Sequence, residues 1–517
     1  MIRLKIDNKE IEVKEGTPVI TAARNQGIDV PSMCYLEGKE HITSCMICMV
    51  KDRNTDRLFP SCSIESQDGM DIISMDEEIY EARKTALELL LSEHVGDCEA
   101  PCQITCPAHM DIPLMNRLLA EGKFHEALKV VKRDIALPAV FGRICPAPCE
   151  GACRRKSVDE AVSICLLKRY AGDHDLQSNE YWTPPMEEKK GKKVAIIGAG
   201  PAGLSLAYYL QVRGYDSIIF DRNDLPGGSL HREVKEGNLP VDVLLGELEV
   251  LKKMGVKFNM NTPVDKASYE SLKKNNDAVV IATGSKEGLE DWGLEMTDKG
   301  LKADKKTYQL NNSSVFVVGS ALRPSRMAIR TLGQGKEAAF SVNQFLKGEE
   351  IIGEPFLFNS RFGKLQENEA IEYLKESIKG NRIEPKDQKS GLTSEEVKKE
   401  AARCLHCDCR DLENCRLRIY SDQYGAGQRR FKSESRKQIL KHFQHDTVIY
   451  EPSKCIRCGI CVKICSDYKE EFGMSFIGRG FEIEVGIPFN DSIKKGLEKV
   501  AEETAVACPT GALALKK

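Results

Sequence analysis

The sequence predicts a multidomain protein of mixed α/β and α+β class, and three observations predict it. The chain has 517 residues, more than one hydrophobic core can organise. Its 20 cysteines fall in four groups, 34–62, 98–165, 404–415 and 455–508, and residues 166–403 contain none. Inside that thiol-free stretch a G-x-G-x-x-G sequence follows a short apolar strand and opens a helical pattern, the arrangement of a dinucleotide-binding turn.

Composition removes several classes of function. A formal net charge of −3 gives no reason to expect nucleic acid as a partner, and two Trp with 6% aromatic residues make a poor base-stacking surface. No run of about 20 apolar residues is present, so no membrane span is expected. The opening MIRLKIDNKEIEV alternates like a strand and lacks the apolar core of a signal peptide, which predicts a soluble, cytoplasmic protein. A disulfide framework would need export, so clustered thiols in a reducing compartment read as metal or iron–sulfur ligands.

Residues 1–76 read as short strands around one helix near residues 19–26, with Cys34, Cys45, Cys48 and Cys62 on loops and strand ends. Four thiolates suit a [2Fe–2S] cluster, and a structural zinc is the alternative. The spacing, C-x10-C-x2-C-x13-C, resembles the β-grasp ferredoxin domain that begins the large peripheral subunit of complex I and iron-only hydrogenases.

Residues 77–180 begin with an apolar-periodic helix, EEIYEARKTALELLLSEH, and continue through Cys98, Cys102 and Cys106 to a helical hairpin. GRICPAPCEGACRRKSVDEAVSIC then carries Cys145, Cys149, Cys153 and Cys165. CPAHMDIP, EALKVV and GRICPAPCEGAC resemble the N-terminal cluster domain of the glutamate synthase small subunit and of dihydropyrimidine dehydrogenase, which implies a helical domain with two [4Fe–4S] clusters. The resemblance gives Cys98, Cys102 and Cys153 to the first cluster and Cys106, Cys145 and Cys149 to the second. The family's Gln/Glu ligand position falls on Lys168, a poor ligand, and Cys165 is the substitute. The first set is one ligand short. His94 is the candidate, because LLLSEHVGDC resembles the complex I segment whose His-x3-Cys pair begins a histidine-ligated cubane; a solvated histidine at a helix end is the alternative.

A Pro- and Lys-rich connector leads to residues 190–350, where KVAIIGAGPAGLSLAYYL is followed by a second strand ending at Asp221. The turn Gly198, Ala199, Gly200, Pro201, Ala202, Gly203 supplies the tight bend, the close pyrophosphate approach and the helix–strand packing, and the helix N-terminus favours phosphate. Asp221, 23 residues after Gly198, is placed to meet a ribose hydroxyl. DRNDLPGGSL, AVVIATGS and SVFVVGSA resemble successive segments of the glutamate synthase small subunit's flavin domain, which implies FAD and adds Arg222, Gly228, Ser229, Thr283, Gly284, Gly319 and Ser320 to the site. The family has Asp where Ser320 stands here. Only 30 residues separate Gly284 from Val315, too few for the second βαβ domain that seats NADPH in that family.

Residues 395–425 crowd Cys404, Cys407, Cys409 and Cys415 into 12 positions, enough thiolates for a cubane or a zinc; the pattern is similar to one in fused glutamate-synthase-like flavoproteins. Residues 445–517 carry Cys455-x2-Cys458-x2-Cys461-x3-Cys465 and a remote Cys508-Pro. That pattern predicts a small ferredoxin-like domain with one [4Fe–4S] cluster on Cys455, Cys458, Cys461 and Cys508, leaving Cys465 a spare buried thiol.

The expected cofactors are FAD, one [2Fe–2S] and three to four [4Fe–4S] clusters, with no side chain in a catalytic role of its own. The combination resembles electron-transfer subunits of bifurcating hydrogenases, transhydrogenases and formate dehydrogenases. It implies other redox subunits as partners, such as a flavin/NADH subunit and a hydrogenase or dehydrogenase subunit. The alternatives are a stand-alone NAD(P)H-dependent glutamate synthase-type oxidoreductase and a non-redox scaffold with zinc sites.

Overall fold

The computed structural model describes residues 1–178, 180–431 and 436–516. They form two compact units that do not follow chain order. One gathers residues 1–99, 357–375 and 407–517, and the other residues 100–356 and 376–406. The segments expected as 77–180 and 395–425 are therefore each shared between units, divided after residues 99 and 406.

The first unit opens with a five-stranded sheet of order β2-β1-β5-β3-β4, made of β1 (Ile2–Ile6), β2 (Lys9–Val13), β3 (Met49–Asp52), β4 (Arg57–Pro60) and β5 (Asp71–Ile73). Asp7 and Asn8, both at positive φ, turn β1 into β2, the two-residue hairpin such residues favour. Alternation puts Leu4, Ile6, Ile11 and Val13 inward against Val19, Ile20, Ala22 and Ala23 of the helix Val19–Asn25. The helix Glu77–Glu93 starts where Asp76 accepts the Ile79 N–H at 2.7 Å, and it ends at His94. Its Leu87 and Leu91 share a core with Leu417, Tyr424, Val448, Tyr450, Ile460, Ile464 and Leu513. This shared core is why the helix joins the C-terminal residues: its apolar stripe is covered by them. Val448–Tyr450 pairs antiparallel with Leu513–Leu515, and Ser475–Ile477 with Glu484–Gly486.

The second unit contains the hairpin of Ile112–Ala120 and Phe124–Asp134, then Pro138–Ile144 and Ile164–Leu176. The last two helices touch backbone to backbone: a Cβ on Gly172 would sit 2.4 Å from the Ala139 nitrogen, and one on Gly142 would sit 2.4 Å from the Arg169 Cα. A parallel sheet follows, from β6 (Lys193–Ile197), β7 (Asp216–Phe220), β8 (Lys257–Asn259), β9 (Ala278–Ile281) and, past the short hairpin β10 (Met296–Thr297) and β11 (Gly300–Leu301), β12 (Val315–Val317). Its order is β12-β9-β6-β7-β8, so the direction of winding reverses between β6 and β9, where doubly wound sheets open their binding crevice. β6, β9 and β12 are buried along nearly their whole length, as strands covered on both faces must be. Among the described residues no helix is long and apolar enough to cross a membrane.

Candidate functional site

A cleft of about 610 Å³ opens at the carboxyl ends of the parallel strands. Gly198, Gly200, Pro201, Asp221, Arg222, Gly228, Ser229, Thr283, Gly284, Gly319 and Ser320 line it, so most of the residues expected at a dinucleotide site meet there. The three glycines do separate work. A Cβ on Gly198, at φ +117°, would lie 2.3 Å from the Ala282 oxygen, and one on Gly203 would lie 2.1 Å from the Gly198 oxygen. Nothing lies within 4 Å of a Cβ on Gly200, which leaves the open approach a pyrophosphate needs at the N-terminus of the helix Pro201–Val212. Asp221 Oδ2 accepts the Ala199 N–H at 2.7 Å and Oδ1 accepts the Asn223 N–H at 2.9 Å, so the carboxylate fixes the glycine turn at the cleft's edge. Ser325, Arg326, Met327 and Thr331 also line the cleft, as do Ile144 and Pro146. Sequence reasoning missed these, since no local pattern marks a residue that reaches a cleft from another element.

Ile144 and Pro146 flank Cys145, and Cys145 belongs to a thiol group in the same unit. Cys165 is hydrogen-bonded to the Cys145 and Cys149 thiols, while its backbone N–H donates to Glu150 Oε1 at 2.9 Å. Burial works against the Lys168 ammonium, but Cys165, Cys145, Cys149 and Cys106 together outweigh it and hold it charged. Its Nζ donates to Cys165 Sγ. Four sulfurs around one buried cation make a donor set that fits a [4Fe–4S] cluster.

In the first unit Cys34, Cys45, Cys48 and Cys62 are all buried. Cys34 and Cys45 sulfurs are 3.4 Å apart. Thiol protons from Cys45 and Cys62 hold Cys34 far below the ordinary range, and these two are pushed up in turn. Such a donor set fits a [2Fe–2S] cluster.

Toward the C-terminus, Cys455, Cys458, Cys461 and Cys508 surround a cavity of about 20 Å³ closed by Tyr450, Ile460, Val485 and Leu513. Burial raises all four thiols, and repulsion from the neighbouring sulfurs adds to it at Cys455, Cys458 and Cys461, a cost that a cationic cluster core relieves. Cys465 is buried but does not line the cavity; burial pushes it to about 11.

Cys98 is buried beside Cys409 and Cys415 of its own unit. The Cys409 N–H donates to the Cys98 carbonyl at 2.9 Å, and Ser360 N–H donates to Cys98 Sγ at 3.4 Å. Burial raises Cys98 to about 11, with Cys409 adding to it. His94 is buried; its Nδ1 donates to the Lys454 carbonyl at 3.1 Å, and burial with the nearby Lys454 ammonium pushes its pKa down to about 4. It is a neutral imidazole. Cys102, Cys153 and Cys404 belong to the second unit. There Arg155, two residues beyond Cys153, donates to the Arg403 carbonyl just before Cys404 at 2.7 Å. Cys407 belongs to the first unit.

Three family profiles match the chain: a 2Fe-2S iron-sulfur cluster binding domain over residues 1–77, dihydropyrimidine dehydrogenase domain II, 4Fe-4S cluster, over 77–180, and an NAD(P)-binding Rossmann-like domain over 196–245. The NADPH-Fe(3+) oxidoreductase subunit beta of Geobacter sulfurreducens is 42% identical over 210 residues, 39% of this chain and 30% of that protein. The NADP(+)-dependent formate dehydrogenase subunit beta of Moorella thermoacetica is 40% identical over 207 residues, 36% of this chain and 29% of that one. The glutamate synthase [NADPH] small chain of Escherichia coli is 35% identical over 227 residues, 43% of this chain and 48% of that one. The match spans under half the length of each of these relatives. The chain therefore joins 2Fe–2S and 4Fe–4S cluster domains to a Rossmann-like dinucleotide-binding domain, and it is a relative of the glutamate synthase small chain and of the beta subunits of multi-subunit oxidoreductases.

Proposed function

We propose that the chain is an iron–sulfur flavoprotein that relays electrons within a multi-subunit oxidoreductase, with FAD in the cleft at the ends of β6 and β9. One observation carries the reading: Ile144 and Pro146, on either side of Cys145, form part of the wall of the cleft that Gly198, Gly200 and Gly284 also line. A redox group seated there would be separated from the Cys106, Cys145, Cys149 and Cys165 cluster by that wall. When bound, a flavin exchanges electron pairs for single electrons, which iron–sulfur clusters carry. The chain's own part is to hold the pyrophosphate on the Gly200 turn, to keep water from the clusters by burial, and to set their potentials through neighbouring charges.

The beta subunits among its relatives support placing it in a complex with other redox subunits. Residues 285–314 form a single 3-10 turn at Glu290–Trp292, the β10–β11 hairpin and irregular chain, which supports a partner as the site of nicotinamide oxidation. The Rossmann-like profile is described as NAD(P)-binding, and this favours a second reading in which a nicotinamide takes the cleft and the chain oxidises NADPH unaided.

Acid release of the bound cofactor from anaerobically purified chain, followed by its absorption spectrum and mass, separates the two. FAD with roughly 18 iron atoms per chain, the content of one [2Fe–2S] and four [4Fe–4S] clusters, supports the relay. Dithionite then bleaches flavin and clusters, while NADH and NADPH do so only with a partner subunit present. Rapid bleaching of the single chain by NADPH sinks the relay reading in favour of the second, and a colourless zinc protein sinks both.

A further inference from the structure

We infer that Cys98, Cys409 and Cys415 hold one [4Fe–4S] cluster with His94 as its fourth ligand, so that the 404–415 motif does not serve a single site. The inference rests on the reading that these cysteine groups ligate iron–sulfur clusters, and it changes which cysteines share a cluster.

Independent contacts bring these residues together within one unit. The Cys409 N–H donates to the Cys98 carbonyl at 2.9 Å. Next to Cys98, Glu99 accepts from Arg418 Nη2 at 2.8 Å, and the backbone N–H of Arg418 donates to the Cys415 sulfur. The turn after Cys508 touches both distal cysteines: the N–H of Arg416, next to Cys415, donates to the Pro509 carbonyl at 2.9 Å, and Cys409 Sγ lies where a Cβ on Gly511 would be, 2.2 Å from it. All three thiols are buried; Cys409 adds to burial in raising Cys98 and Cys415, and Cys98 adds to it at Cys415.

His94 enters through the chain that carries Cys98. Residues 94–96 are fastened to residues 453–454, with Val95 N–H donating to the Ser453 carbonyl at 2.9 Å and Gly96 packed on the Lys454 side chain. The Nδ1–H of His94 is spent on the Lys454 carbonyl, the outer contact that fixes a ligating imidazole's tautomer and points Nε2 at the metal. The same carbonyl accepts from Thr510 Oγ1 at 3.2 Å, and Lys454 precedes Cys455. The proposed site therefore adjoins the Cys455–Cys508 site through Lys454 on one side and Pro509 on the other. Electrons could pass between them across a few bonds and one hydrogen bond.

The test uses full-length protein purified anaerobically, with iron and zinc per chain and low-temperature EPR of the dithionite-reduced state as readouts. Retention of the [2Fe–2S] signal serves as the fold control. Cys98→Ala and Cys409→Ala should each abolish the same cubane signal, and the double variant should lose no more iron than either, about four atoms. Cys404 lies with Cys102 and Cys153 in the second unit and falls to the cubane they would hold, so Cys404→Ala combined with Cys409→Ala should lose about eight. Loss of about four iron atoms by that second pair, with about eight lost by the first, overturns the grouping but leaves the iron–sulfur reading intact. Parallel loss of zinc in place of iron overturns both. His94→Cys, the gentler variant, should keep the iron and lower the midpoint potential of the signal that Cys409→Ala removes, because a thiolate adds negative charge. If every potential stays unchanged, His94 is not a ligand.

Discussion

Lys168 Nζ donates to Cys165 Sγ at 3.7 Å, with the lysine only 3% exposed. A charged ammonium in the protein interior needs compensation, and here the sulfurs of Cys165, Cys145, Cys149 and Cys106 provide it when they are thiolates. The relationship also acts in reverse, because a fixed positive charge favours the more negative, reduced state of a cluster held by those sulfurs.

Replacing Lys168 with Leu should therefore lower the midpoint potential of that cluster by about 50–150 mV, the effect of removing one charge a few ångströms away at an effective dielectric near 20. Lys168→Arg, which retains the charge, should restore most of the shift. An EPR-monitored redox titration reads both, and equal potentials in all three proteins would deny the lysine any electrostatic role.

The glycine turn allows binding to be separated from folding. Gly200→Ala places its Cβ in open space, so apparent Tm in the cofactor-free state should stay within a degree or two while bound flavin falls by at least tenfold. Gly198→Ala meets the Ala282 oxygen at 2.3 Å in a left-handed conformation and should unfold the domain or cost about 2–4 kcal/mol. Equal flavin content in wild type and Gly200→Ala would place the phosphates elsewhere.

Glu247 is buried in the helix Val241–Lys253; its Oε1 accepts the Ala139 N–H at 2.6 Å, and its Oε2 has no hydrogen-bond partner among the described residues. Burial raises its pKa to about 7. A carboxyl group raised above its unfolded value is stable protonated, so stability is lost as pH rises from about 4.5 through 7, by roughly 1.4 kcal/mol per unit. Glu247→Gln should remove that slope: Tm curves of the two proteins should lie close at pH 5 and diverge by several degrees at pH 8, the variant being higher. Parallel curves across this range would show that Glu247 does not titrate there.

Cys465→Ala should leave iron content and every cluster signal unchanged, whereas Cys461→Ala should remove about four iron atoms. The first thiol is outside the cavity that the second lines. Iron loss in Cys465→Ala would bring that residue into a cluster.

How far the sequence could be read depended on range. The turn at Gly198–Gly203 was legible because its glycines are demanded by contacts a few residues away, and the β1–β2 hairpin because its alternation matches the pleat. Cys34, Cys45, Cys48 and Cys62 were legible as one group since a single small domain spans them. Nothing local announces that the helix Glu77–Glu93 packs with Leu417 and Tyr424, or that Cys98 meets Cys409. Long loops cost little more to close than short ones, so spacing cannot choose partners for a cysteine when several groups offer sulfur. Lys168 was readable as a poor ligand; its place as the buried cation among four thiols required the fold.

The hydrogen bond between Cys409 and Cys98 also bears on synthesis. About 310 residues separate the two, and ribosomes add roughly 5–20 residues per second, so Cys98 emerges some 15–60 s before the residue that pairs with it. The Cys34–Cys62 pocket can be filled while translation continues, but a pocket built on Cys98 cannot exist until Cys409 and Cys415 have left the tunnel. Throughout that interval Cys98 is a bare thiol open to oxidants, which makes slow translation or early termination a hazard to this position in particular.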